Sequence, residues 1–123
     1  MILVDTSVWV DHLRKGDLAM QWLLDSDSVL AHPMVIGELA MGQLHPREPI
    51  LRVLGLLPVV VLADHDETMR FVTQHKLYGL GVGYIDAHLL ASVRLTPDAA
   101  LWTRDKRLAN VAEKLRLGAT PDA

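Results

Sequence analysis

Directly after Met1 the chain runs Ile2-Leu3-Val4-Asp5-Thr6-Ser7. Three apolar residues, two of them β-branched, run into an acid and two hydroxyls. Such a run reads as a buried strand that turns directly into a helix N-terminus. The helix is expected over Thr6 to Lys15, with Gly16 as its stop. A second helix is expected from Asp17 to Asp25, and Val29-Leu30-Ala31 is a strand candidate. Pro33 suits the first position of a helix covering Met34 to Leu44. Pro46 and Pro49 interrupt that pattern, and a shorter helix follows to about Leu57.

Further along, Val59-Val60-Val61-Leu62 after Pro58 is the most strand-like run of the chain. Asp66 is expected to cap a helix reaching Tyr78. Gly79, Gly81 and Gly83 make a flexible connector, and Tyr84 to Leu95 is helical until Thr96-Pro97. Ala99 to Thr103 reads as another buried strand, and Asp105 to Leu115 as the next helix. Leu117 to Ala123 holds an edge strand or no regular element. Strands alternate with helices and are apolar on both faces, which implies a parallel sheet covered by helices. Ligands of such sheets bind beyond the carboxyl ends of the strands, where strand order reverses.

Composition bounds the possibilities. The 123 residues suit a single domain spanning 1–123. Half of them are apolar (50%), which is ample for a core. There is no cysteine, so disulfides and thiolate metal sites are excluded. No basic segment precedes the first apolar run, so no signal peptide is expected, and a cytoplasmic location is. No apolar run approaches the ~20 residues that span a bilayer. Twelve basic against 15 acidic residues leave a net charge of −3, so bulk charge would not hold a nucleic acid. Local basic patches, and cations held by the chain's own acids, would have to do it.

Four acids stand out by position. Asp5 ends the first strand, and Asp105 lies two residues beyond Thr103. If their strands are neighbours ~5 Å apart, both carboxylates face one crevice. Glu38 sits in the apolar stretch Met34 to Met41, and Asp86 near the start of Tyr84 to Ala91. Acids on buried helices are costly unless compensated, and converging carboxylates repel. A divalent cation would relieve both, and an all-oxygen donor set favours Mg²⁺ or Mn²⁺. Taken singly, each acid also has an ordinary explanation. Asp5 and Asp105 could be helix caps, Asp86 a first-turn acid favoured by the helix dipole, and Glu38 a solvated side chain. The six histidines and three tryptophans read as structural, the tryptophans in core or dimer packing.

Four segments in order, VDTSVWVDHL, VIGELAMG, YIDAHLLASV and WTRDKRL, resemble the PIN-domain ribonucleases, specifically the VapC-type toxins of type II toxin–antitoxin systems. They span nearly the whole chain. The resemblance implies a three-layer α/β/α fold with a short central parallel sheet and an endoribonuclease dependent on Mg²⁺ or Mn²⁺. It implies Asp5, Glu38, Asp86 and Asp105 as the acidic quartet, with Asp5, Asp86 and Asp105 on the metal. Thr6, Ser7 and Thr103 would support the acids, and Arg104, Lys106 and Arg107 would hold RNA phosphates. The implied partners are RNA, a cognate antitoxin and a second copy of the chain. Some relatives carry a further acid after the last motif, where this chain has Lys106-Arg107. The alternative is a PIN-like module that binds RNA or protein without cutting. A haloacid-dehalogenase-type phosphatase fits less well, because its second acid would fall at Ser7.

Overall fold

The computed structural model describes residues 1–122. Its sheet consists of β1 (Ile2–Val4), β2 (Val29–Leu30) and β3 (Ala100–Trp102), all parallel, in the order β2-β1-β3. Ile2 pairs with both Val29 and Ala100, and Val4 with Trp102. Two single bridges widen the sheet, Ala31 with Val59 at one edge and Leu101 with Gly118 at the other. Successive strand residues point to opposite faces. Leu3 and Val4 are both fully buried, as are Leu101 and Trp102, so both faces are covered.

The covering helices are α1 (Thr6–Lys15), α2 (Leu18–Asp25), α3 (Pro33–Ala40), α4 (Arg47–Leu54), α5 (His65–His75), α6 (Tyr84–Leu95) and α7 (Lys106–Lys114). The result is a three-layer α/β/α fold. α3 packs on α1 and α4, α5 on α6, and α6 lies against β3. From β1 the chain runs to β2 on one side and later crosses to β3 on the other. Strand order therefore reverses at β1, and the crevice lies beyond Val4 and Trp102.

Most expected elements occur, with informative differences. Val59 to Leu62 is not a strand. Only Val59 bridges to Ala31, and Val61 and Leu62 are about half exposed. The Val61 and Ala63 amides donate to Thr96 Oγ1, at the C-cap of α6, and to Ser92 Oγ within it. Hydroxyls thus take the donors a ladder would have used. The cap of α5 is Asp64, not Asp66. Asp64 accepts the Glu67 amide while Glu67 accepts the Asp64 amide, a reciprocal pair that places Asp66 in the first turn. That helix stops at His75, before Tyr78, because Lys76 adopts the left-handed conformation and Leu77 N–H closes on Val72. α3 ends at Ala40 rather than Leu44. Of the final segment, the described part is held by Leu117 and Ala119 on either side of Leu101. Ala123 lies outside the described residues.

Candidate active site

Asp5 begins α1, yet its carboxylate does not cap that helix. It turns across the crevice instead. One oxygen, Oδ2, accepts the Ser7 hydroxyl at 2.8 Å and the Thr103 hydroxyl at 2.7 Å. These hydroxyls are themselves fixed. Ser7 Oγ accepts the Arg104 amide, and Thr103 Oγ1 accepts the Asp105 amide. The pairing of Val4 with Trp102 brings the two strand ends together, and this network locks the turns that follow them.

Asp105 does cap its helix, Oδ1 accepting the Leu108 amide at 3.1 Å. Glu38 is exposed on α3, and its Oε1 accepts the Thr6 hydroxyl at 2.8 Å. Asp86, half-buried in the first turn of α6, reaches back to the Gly83 amide at 3.0 Å. Each acid thus has one engaged oxygen. The other oxygen has no hydrogen bond, and no buried side-chain oxygen among the described residues lacks a partner, so the free oxygens reach solvent.

Burial pushes the Asp86 carboxyl up, and the charges of Asp5, Asp105 and Glu38 push it further, against the Gly83 hydrogen bond. The structure therefore brings Asp5, Asp105 and Glu38 within electrostatic reach of Asp86. Among the described residues, no three His, Asp or Glu side chains lie close enough to form a ready metal cluster. The donors still suit a hard divalent cation: they are all carboxylates, each offers a free oxygen, and they repel. Three of the acids start helices, so N-terminal dipoles of α1, α6 and α7 add positive potential to the crevice.

The basic residues divide. Arg104 is taken up by three carboxylates, Asp11 at 2.7 Å, Asp17 and Asp122, and lies over the Trp102 ring. These hydrogen bonds, Asp17 foremost, raise its pKa, and Asp17 is lowered by the Met20 amide and by Arg104. Lys106 and Arg107 have no carboxylate partner among the described residues, and Arg107 lies against Gly81. Several histidines occupy structural places. His12 accepts the Asp17 amide, and His88 is buried between Thr68 and Tyr84. Trp9 and Trp102 are core residues, whereas Trp22 is exposed on α2. Sequence reasoning missed Asp11, Asp17 and Asp122 around Arg104. It also missed His32, which caps α3, and Ser92.

Residues 2–114 match the PIN domain as a family. The chain is also 49% identical over 108 residues to the protein named Ribonuclease VapC32 of Mycobacterium tuberculosis, in strains CDC 1551 / Oshkosh and ATCC 25618 / H37Rv. The shared stretch covers 88% of this chain and 87% of those relatives. The family match includes Asp5, Glu38, Asp86 and Asp105 and the elements that carry them. The chain belongs to the PIN-domain family, and within it to the VapC type.

Proposed function

We propose that this chain is an endoribonuclease that hydrolyses RNA phosphodiester bonds with Mg²⁺ or Mn²⁺, and that it is the toxin of a toxin–antitoxin pair. The observation that carries the reading is the mutual electrostatic load on Asp86, because acids that repel across a crevice are suited to a cation between them. The similarity to a ribonuclease supplies the substrate class.

Asp5, Asp86 and Asp105 would hold the cation. When bound, it would supply charge neutralisation at the scissile phosphate and lower the pKa of water. The chain's own residues do the rest. Ser7 and Thr103 hold one oxygen of Asp5 and leave the other for the ion. Glu38 or Asp86 orients the attacking water or takes its proton. Lys106 and Arg107 hold the RNA backbone, a role for which Arg104 has little capacity left. Attack by water leaves a 5′-phosphate and makes no use of the 2′-hydroxyl. The protein acts in the cytoplasm as a homodimer and is restrained by a cognate antitoxin.

Purified protein freed of antitoxin should cleave single-stranded RNA in Mg²⁺ or Mn²⁺ and stop on addition of EDTA. Cleavage that survives EDTA overturns the metal mechanism. Absence of cleavage under all conditions, with RNA still bound, supports the non-cutting module instead. Expression without a partner should arrest growth, and Asp5→Asn should relieve the arrest at equal protein level.

A further inference from the structure

α3 and α6 carry Glu38 and Asp86, and one buried side chain joins the two helices. His32 is the N-cap of α3 and only 3% exposed. Its Nδ1 accepts the Met34 amide at 3.0 Å. An imidazole that accepts at Nδ1 carries its proton on Nε2 when neutral. That Nε2 lies 3.3 Å from Ser92 Oγ of α6, so it donates to the hydroxyl. Ser92 is itself fully buried, and its Oγ also accepts the Ala63 amide at 3.1 Å. One ring therefore satisfies an open amide at the start of α3, ties that start to α6, and shares its hydroxyl with the segment leading into α5.

Shorter residues cap helices well, Ser, Asn and Asp above all. None of them would also reach Ser92. The length of His32 is explained by the second contact. The group that bears on its charge is His88 of α6, with ring centres 6.5 Å apart. Burial, and then His88, push His32 down to about 4, so the ring is neutral near pH 7 and keeps both bonds. A buried, fully satisfied polar link specifies one arrangement of the elements it joins.

We propose that His32 is a positioning residue which, through Ser92, fixes α3 against α6 and so sets Glu38 relative to Asp86. The inference rests on reading those two acids as parts of the nuclease site. His32→Asn tests it, because the Asn amide oxygen still caps Met34 but its side chain falls short of Ser92. The variant should fold, lose roughly tenfold in kcat on single-stranded RNA with Mn²⁺, and keep its KM within about twofold. Ser92→Ala cuts the link from the other side, and the double variant should be no slower than the slower single one. An unchanged kcat in folded His32→Asn overturns the proposal, and so do fully additive losses. If Ser92→Ala does not fold, the ¹⁵N spectrum of the wild-type His32 ring decides. The Nε2-protonated tautomer is expected at pH 7, and the other tautomer or a charged ring overturns the link. Glu38→Gln is the separate control. Wild-type cleavage by that variant sinks the reading of the acid site, whatever His32 does.

Discussion

The crevice has a sheet-borne half and a helix-borne half, and they are built differently. On the sheet side, Asp5 is 7% exposed, and one of its oxygens receives two hydroxyls that are each pinned by a backbone amide. On the helix side, Glu38 and Asp86 keep one hydrogen bond each, from the Thr6 hydroxyl and the Gly83 amide. The first arrangement fixes a carboxylate in one orientation. The second leaves carboxylates that can turn toward whatever enters the crevice. The sheet-borne acid thus defines the site's position and the helix-borne acids adapt to its contents, a distinction that matched substitutions in the two halves test.

The largest effects belong to the sheet side. Asp5→Asn should lower cleavage by roughly a hundredfold or more, since several kcal/mol of charge stabilisation depend on the ion it would hold. Thr103→Val keeps the shape and removes a buried hydroxyl that serves both Asp5 and the Asp105 amide. It should cost about 1–3 kcal/mol of stability, and roughly tenfold to a hundredfold in activity. Thr6→Val is its counterpart on the helix side. Its bond to the exposed Glu38 is open to water, so stability should change by less than about 0.5 kcal/mol. Melting curves and single-turnover rates compare the two. Equal losses for Thr6→Val and Thr103→Val would show that the halves do not differ.

The same division governs what was legible in the sequence. Strand-end acids are easy to place, because a short apolar run and its following hydroxyls locate both the strand and the turn. Asp5, Ser7, Thr103 and Asp105 fall where that pattern puts them. The orientation of Asp5 was not legible. Asp before a helix ordinarily caps it, and the hydroxyls of Ser7 and of Thr103, just beyond β3, show why this one turns away. Val59 to Leu62 misled because β-branched residues report an extended backbone, not a partner for it. The partners here are hydroxyls of Ser92 and Thr96, some 30 residues on in the sequence. Arg104 misled for a related reason: its neighbours in sequence are the site, but its neighbours in space are Asp11, Asp17 and Asp122.

A smaller effect tests whether the helix side adapts to metal. Burial, then the other three acids, raise the Asp86 carboxyl. A carboxyl raised in the folded state binds protons more readily than in the unfolded chain, so its ionisation costs stability at neutral pH. Asp86→Asn removes that cost while its amide oxygen can still accept from Gly83. The metal-free variant should therefore melt above the wild type, by on the order of 1 kcal/mol or less at pH 7. That advantage should shrink as pH falls through the carboxylate range and the wild-type group takes up its proton. Mn²⁺ at a hundred times its dissociation constant should stabilise the wild type by about 2.7 kcal/mol and the variant by much less. Equal metal shifts would remove Asp86 from the site.

The smallest effect separates structure from RNA binding among the basic residues. Arg104 joins Asp11 near the middle of α1, Asp17 at the cap of α2, and Asp122 near the chain's end. These pairs are partly solvent-exposed, so screening keeps each to a fraction of a kcal/mol. Arg104→Lys loses the fork that serves three acceptors at once, and should lower stability by roughly 1 kcal/mol, less in high salt. Asp122→Asn, at the most exposed of the three partners, should cost less still. Neither change should alter the KM for RNA. Lys106→Gln with Arg107→Gln should do the reverse. The KM should rise and its salt dependence weaken, because two phosphate contacts are gone, while the melting temperature barely moves. If Arg104→Lys instead raises KM and leaves stability intact, its guanidinium exchanges carboxylates for phosphates when RNA binds. The partition between a structural arginine and two substrate-facing cations then fails.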